Sequence, residues 1–322
     1  MKNRPLLSVI IPIYNAKSYI EKCLLSVLDQ GFDINQLEVI CVDDGSNDGS
    51  EELLDEFAIL HPEVRVFHKD NGGVSSARNY GMGKMTGYYF EFVDIDDELV
   101  PNSIKEIVER MHEEKCAVAP FAYTREMYSE CSELVYSIST MVLTGAIWRY
   151  IFSAESFGQV RFDECLHYAE DTFFAQTVAL HNPICLHTEK KCYIYRDNPN
   201  SVMKKRNFLR VAESMLRLAE NHKRYLQERS FPDEQRRIER WSARATAAYI
   251  YYSLRGNNNE EPFSMLQQRG LWPYKKEWQL LKIRFKNYGG IRQTVSNYCL
   301  FFVGLRPMWR IFQKTGLLKR FK

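Results

Sequence analysis

The stretch Gly87-Tyr-Tyr-Phe-Glu-Phe-Val-Asp-Ile-Asp-Asp-Glu-Leu-Val-Pro101 decides how the rest of the chain is read. A β-rich run from Tyr88 to Val93 ends abruptly in three carboxylates, Asp94, Asp96 and Asp97. Pro101 marks the opening of a helix, at a position where its missing N–H costs nothing. Acids at the C-terminal end of a buried strand sit where open α/β sheets bind ligands. Spaced Asp-x-Asp, two carboxylates leave the strand close enough to share one hard divalent cation. Mg²⁺ and Mn²⁺ prefer such oxygen donors and take substrate phosphates as further ligands. The same acids also have a purely structural reading, as caps for the helix that follows.

Toward the N-terminus, Leu6 to Tyr14 is a continuous apolar, β-branched run containing Pro12, as expected of a strand covered on both faces. Asn15-Ala-Lys-Ser turns into a helix with Tyr19, Ile20, Cys23, Leu24, Val27 and Leu28 at helical spacing. Leu37 to Val42 is a second strand, ending in Asp43-Asp44-Gly45-Ser46. Asn47 or Ser50 then caps a helix carrying Leu53, Leu54, Phe57 and Leu60. Val64 to His68 is a third strand, and Asn71-Gly72-Gly73 turns into a small-residue helix bearing Arg78 and Asn79. This alternation predicts a mostly parallel sheet with right-handed crossovers. It gathers Tyr14-Asn15, Asp43-Asp44 and Asp94-x-Asp96 on one sheet edge.

Toward the C-terminus, a helix is expected over Asn102–Glu114 and a strand over Cys116–Tyr123. Arg125 to Ser139 is polar and ambiguous, and Thr144 to Phe152 reads as helical. Glu170-Asp171 opens an apolar helix, where acids also have a plain structural use against the macrodipole. Ile184 to Tyr195 reads as one strand, followed by the turn-rich segment Arg196–Ser201. From Phe208 onward two helical stripes appear, one through Val211, Met215 and Leu218, the other through Ile238, Trp241 and Ala245. Gly256–Pro262 is a linker between helical pieces. His61, His112 and His222 lie in charged helical sequence and are expected in solvent.

The 322 residues allow one large domain or a domain with an appendage. An apolar content of 45% with 26% charged residues is ordinary for a globular protein. The formal net charge of +2 is unevenly placed. Beyond Trp272, twelve Lys and Arg face the single acid Glu277, about +11, leaving about −9 for the remainder. The eight cysteines include no Cys-x-x-Cys pair, and Cys41 and Cys116 sit in apolar runs, as buried thiols of a reducing compartment do. The apolar run after Lys2 and Arg4 is short and leads into polar sequence, so it reads as a strand and not a signal peptide. No run approaches the roughly 20 apolar residues of a membrane span.

Taken together, Val9-Ile-Ile-Pro-Ile-Tyr-Asn15, Val42-Asp-Asp-Gly-Ser46, Asn71-Gly-Gly-Val-Ser-Ser-Ala-Arg-Asn79, Asp94-Ile-Asp-Asp97 and Glu170-Asp171 resemble glycosyltransferase family 2. These are inverting, nucleotide-sugar-dependent transferases with the A-type glycosyltransferase fold. The five motifs occur in the family's order over about residues 5–205, and linked motifs are far more specific than any one of them. The resemblance implies an α/β catalytic domain over 1–205, with Tyr195 through Ser201 similar to the end of that domain in bacterial polysaccharide-building members. The helical, basic C-terminal region over 206–322 is read from its stripes and charge and carries no signature of the family.

Carried over residue by residue, it places Pro12, Tyr14 and Asn15 in the nucleotide-base pocket, with Asp44 accepting from the base N–H and Asp43 positioning that loop. Asn71 and Arg78 would border the nucleotide and its phosphates, Asp94 the ribose. Asp96 would ligate Mg²⁺ or Mn²⁺ with Asp94 nearby, and Asp97 stays open as the direct ligand. Asp171 would be the general base, with Glu170 the alternate. Displacing a nucleoside diphosphate leaves negative charge on the departing phosphate, which a divalent cation and Arg78 stabilise. A carboxylate on the opposite face takes the acceptor's proton as the bond forms. The implied donor is a UDP-sugar and the acceptor a saccharide or lipid-linked saccharide. Trp148 and Tyr168 are candidates to stack on it. The aromatic, basic stretch Asn297–Arg310 suits docking on an anionic membrane surface, which implies a cytoplasmic, peripheral enzyme. No RNA- or DNA-binding motif accompanies the charge, so nucleic acid is not an expected partner.

Two rival classes remain. A nucleotide-binding regulatory or scaffold protein would be expected to have lost one of Asp94, Asp96 or Asp171. A sugar-phosphate nucleotidyltransferase would carry a glycine-rich phosphate loop after its first strand, which this chain lacks.

Overall fold

The computed structural model describes residues 4–125, 137–140, 146–198, 207–255 and 262–271. They fall into two compact units, one of residues 1–164 with 170–200, the other of residues 165–169 with the chain beyond 200.

The first unit is built on an eight-stranded sheet. Strands β1 (Leu7–Ile13) and β2 (Leu37–Asp43) are buried at every position, which is why both are apolar but for Ser8, Glu38 and Asp43, Ser8 donating its hydroxyl to Glu38. They pair in parallel from Leu7↔Leu37 to Ile13↔Asp43. β3 (Val64–His68) flanks β2, and β4 (Tyr89–Phe92) flanks β1 from Leu7↔Tyr89 to Ile10↔Phe92, again in parallel. Helices α1 (Ile20–Leu28), α2 (Ser50–Leu60) and α3 (Val74–Lys84) make the crossovers. With these registers the C-terminal ends of β1, β2 and β4 share one edge, as the alternation predicts.

Beyond β4 the sheet changes character. β9 (Tyr150–Ser153) enters antiparallel between β4 and β6 (Val118–Pro120). β10 (Ile184–His187) runs parallel to β6, and β8 (Ser137–Thr140) antiparallel to β10. A separate sheet holds β5 (Glu98–Leu99), β11 (Lys191–Ile194) and β7 (Ala122–Thr124) in that order.

Four expectations are corrected here. Thr144–Phe152 is not a helix: a 3-10 turn, Ile147–Arg149, leads straight into β9. Tyr150, Ile151 and Phe152 are strand formers, Ile151 and Phe152 paired on both sides and Tyr150 with β6, and that pairing overrides a short apolar run of ambiguous period. Cys116–Tyr123 and Ile184–Tyr195 each split into two strands in different sheets. Pro120, lacking an N–H, closes the first segment's share of the large sheet. Pro101 lies in a turn after β5, and α4 (Lys105–Glu114) begins four residues later.

In the second unit α7 (Phe208–Glu228) and α8 (Gln235–Arg255) bury Val211, Leu218 and Ala219, and Ile238, Trp241 and Ala245. A short helix, α9 (Pro262–Gln268), follows. Asn207 caps α7 by accepting from the Leu209 and Arg210 N–H groups. His222 is 1% exposed, against expectation, because it lies on the same helical stripe as Val211 and Leu218. Burial pushes its pKa down to about 3. The linker residues 256–261 and the basic tail beyond Trp272 lie outside the described residues.

Candidate active site

Arg78 gathers the site. It is 5% exposed on α3, and its Nη2 donates to Asp94 Oδ1 at 2.8 Å while its Nη1 donates to Glu170 Oε1 at 3.2 Å. The Phe162 ring lies 5.5 Å from the guanidinium carbon. Burial works against the charge, but Asp94 and Glu170 outweigh it and hold the guanidinium ionised. Burial in turn raises the pKa of Asp94 and of Glu170, with Arg78 pulling the other way. Arg78 Nε is buried with no hydrogen-bond partner among the described residues.

The three strand-end acids are used differently. Asp97 is 2% exposed, and Tyr193 Oη donates to its Oδ2 at 2.9 Å while Arg196 N donates to its Oδ1 at 2.7 Å. Burial pushes the Asp97 pKa up to about 8. The Tyr193 hydroxyl also accepts from Asp94 N at 3.1 Å. Asp96 is half-buried and takes one donor, Asn198 Nδ2, on Oδ2 at 2.8 Å. Among the described residues no hydrogen bond reaches Asp94 Oδ2 or Asp96 Oδ1. Two spare carboxylate oxygens suit a hard divalent cation, and Mg²⁺ or Mn²⁺ fits that donor chemistry. A cavity of about 500 Å³ opens beside Asp96, lined also by Tyr19, Lys22, Arg125 and Tyr195.

The loops after β1 and β2 are knit together. Pro12 is buried in β1 opposite Val42, while Tyr14 beyond the strand end is 52% exposed. Asn15 has a left-handed backbone (φ 47°), donates its N–H to Ser46 Oγ at 2.9 Å and accepts from Asn47 N at 2.9 Å. Asp43 accepts from Ser46 N at 3.1 Å and meets His68 Nδ1 at 3.1 Å. Asp44 accepts from Lys69 Nζ at 2.6 Å, Gly72 N at 3.0 Å and Gly73 N at 2.7 Å. Asn71 donates its amide to the Asp44 carbonyl at 2.8 Å. Gly45 is required here: its φ is 75° and a Cβ would come within 3.0 Å of Asn71 N.

Glu170 and Asp171 open α6 (Glu170–Leu180). Asp171 Oδ1 accepts from Thr172 N at 2.6 Å, and its Oδ2 from Ala146 N at 2.9 Å. Trp148 has its ring stacked on Tyr193, with centroids 4.4 Å apart, and on Tyr195 at 5.6 Å. Tyr168 belongs to the second unit, where its N–H donates to Ser214 Oγ at 3.2 Å. Sequence reasoning missed Lys69, His68, Tyr193 and Asn198. Lys69 and His68 stand at the end of a strand parallel to β2, which was a usable signal. The Tyr193 contact, almost a hundred residues away from its acids, had none.

An α/β sheet of this topology, carrying an Asp-x-Asp strand end, a buried arginine and a helix-opening acid pair, has the A-type glycosyltransferase fold. Residues 8–156 match the family model for glycosyl transferase family 2. It is 31% identical over 218 residues to the uncharacterized glycosyltransferase EpsJ of Bacillus subtilis (strain 168), covering 62% of this chain and 63% of that protein. The chain spans less than two thirds of the length of the curated relatives it matches first. Among solved structures it resembles S. aureus TarS 1-349 in complex with UDP-GlcNAc (TM-score 0.56, 18% identity, 87% of this chain and 80% of that one). It also resembles the mannosyltransferase PcManGT from Pyrobaculum calidifontis in complex with GDP-Man and Mn2+ (TM-score 0.55, 16% identity, 94% and 86%). At these identities the two structures speak for the fold alone. No described helix is long and apolar enough to cross a membrane.

Proposed function

We propose that this chain transfers a sugar from a nucleotide-sugar, a UDP-sugar first among donors, to a saccharide or lipid-linked saccharide in cell-surface polysaccharide synthesis. The observation that carries the reading is Arg78, buried and charged, joining the end of β4 to the start of α6 through Asp94 and Glu170. Residues 1–205 form the catalytic domain in this reading, and 206–322 an appendage that docks on the anionic face of the cytoplasmic membrane.

Asp96 and Asp94 would hold Mg²⁺ or Mn²⁺, since each keeps one carboxylate oxygen clear of protein donors. Asp97 would not be a direct ligand, because both its oxygens are engaged by Tyr193 and Arg196. A bound divalent cation supplies electrostatic stabilisation of the departing diphosphate. Arg78 adds positive charge on the same side. Asp171 takes the acceptor hydroxyl's proton, and transfer proceeds by single displacement with inversion. Glu170, ion-paired to Arg78 through Oε1, is the alternate base. The Tyr14 ring covers the base, Asn71 and Pro12 border it, and Asp44 has one lone pair left on Oδ2 for the base N–H.

The test is UDP release from a panel of nucleotide-sugars with Mn²⁺, with EDTA, and in Asp171→Asn and Asp96→Ala. One donor should turn over, with losses of about 10²–10⁴ in Asp171→Asn and none left in EDTA. Neither turnover nor metal-dependent UDP binding by wild type would sink the reading. Equal flotation of full-length protein and a chain ending near residue 270 on anionic vesicles would remove the membrane role.

A further inference from the structure

The turn Ile147–Arg149, whose Trp148 the sequence offers as a stacking partner for the acceptor, reaches the base at one end and the strand-end acids at the other. Ala146, just before it, donates its N–H to Asp171 Oδ2 at 2.9 Å. Its backbone is left-handed (φ 68°), a conformation a residue with a Cβ keeps only where its surroundings enforce it. Two residues on, Trp148 stacks on Tyr193 at 4.4 Å with the ring planes 22° apart. Tyr193 is fully buried, and its hydroxyl donates to Asp97 and accepts from Asp94 N. The turn is itself anchored: Phe121 N donates to Arg149 O at 3.1 Å, and Arg149 Nη2 donates to Phe121 O at 3.3 Å.

We propose that residues 146–149 form a positioning bridge, with Trp148 and Tyr193 as its positioning residues, that sets the base Asp171 at a fixed distance from the acidic end of β4. The inference rests on the glycosyltransfer reading above. A base must meet the sugar on the face opposite the leaving group, and a misplacement of about 1 Å costs about 100-fold in rate. Arg78 ties α6 to β4 on one side, through Glu170 and Asp94. The turn ties them on the other, through Asp171, Trp148, Tyr193 and Asp97. The body of α6 is packed through Phe174 against Phe92 and Phe152, and two ties at different points fix the position and orientation of its first turn, where the base stands.

The test compares wild type with Trp148→Ala, Trp148→Phe and Tyr193→Phe for kcat, donor KM, and calorimetric UDP binding in Mn²⁺. Trp148→Ala should lose at least about tenfold in kcat while UDP affinity stays within about twofold, and Trp148→Phe, which keeps a stacking ring, should recover most of the loss. Tyr193→Phe removes one hydroxyl and keeps the stack, and should raise the Mn²⁺ concentration needed for half-maximal UDP binding. A Trp148→Ala enzyme with wild-type kcat overturns the bridge. So does a parallel fall of kcat and UDP binding that Trp148→Phe fails to rescue. If Trp148→Ala does not fold, wild-type kcat and Mn²⁺ dependence in Tyr193→Phe overturn it instead. A wild type silent with every donor sinks the underlying reading and is told apart because no variant is involved.

Discussion

The acids that end β2 and the acids that end β4 stand on the same sheet edge and are put to opposite uses. Asp44 takes three protein donors, Lys69, Gly72 and Gly73, and Asp43 holds Ser46 and His68. These carboxylates shape loops. Asp94 and Asp96 each take one side-chain donor and keep an oxygen clear. Their neighbour Asp97 belongs in kind with the β2 pair, because Tyr193 and Arg196 occupy it. A strand-end acid is therefore not a ligand by position. What separates the classes is how many donors the protein has already aimed at it, and that is a property of the fold.

The comparison breaks most visibly at Arg78. Arg78→Ala strands two part-buried carboxylates, Asp94 and Glu170, without a cation. Removing one partner of a buried charge network costs about 3–5 kcal/mol, so denaturant unfolding should show a loss of that size, together with loss of activity. Arg78→Lys should restore part of the stability and less of the activity, since an ammonium cannot hold both carboxylates in the planar fork. A loss below about 1 kcal/mol in Arg78→Ala would mean that Asp94 and Glu170 simply take up protons when the cation leaves.

A second pair of variants sharpens it. Asp44→Ala leaves two backbone N–H groups and Lys69 without their acceptor, which should cost about 1–3 kcal/mol of stability. UDP affinity should fall as the loop loosens. Asp96→Ala removes a carboxylate crowded by Asp94 and Asp97, so stability should stay within about 0.5 kcal/mol while metal-dependent UDP binding disappears. Equal stability losses in the two variants, measured by chemical denaturation, would erase the distinction drawn here.

The half of the sheet from β3 to β4 was legible in the sequence because β1, β2 and β4 are covered on both faces and announce themselves as largely apolar runs, and in β3 Val64 and Val66 alternate with Arg65. Val64–His68 is read to the residue, and β1, β2 and β4 to within one. The other half was not. β9 pairs at Tyr89↔Ser153 and at Val118↔Phe152, contacts made far along the chain, and a run as short as Tyr150-Ile-Phe has no period that separates a strand from a helix. The same holds at the site. Asp-x-Asp, Arg78 and Glu170-Asp171 are visible as residue types in order, but the engagement of Asp97 depends on Tyr193, which only the second sheet brings near. His222 was misread for a different reason: its charged neighbours outweighed the helical stripe that carries it inward.

The narrowest comparison sets Glu91, within β4, against Asp94 just past its end. Glu91 is fully buried, with no hydrogen-bond partner on either oxygen among the described residues, and burial raises its pKa well above the ordinary glutamate range. Asp94, three residues on, has Arg78 to oppose the same penalty. A carboxyl whose pKa is higher folded than unfolded binds more protons in the native state. Its contribution to stability is therefore complete below the unfolded pKa of about 4.3 and declines as pH rises through the window up to the raised folded value. The slope from one such group is at most about 1.4 kcal/mol per pH unit. Glu91→Gln removes the titrating proton and keeps the shape, so the difference in unfolding free energy between wild type and variant should grow in the variant's favour from pH 5 to pH 8. Parallel curves over that range would show that Glu91 finds a cation or water partner in solution, and would place it with the satisfied acids of β2.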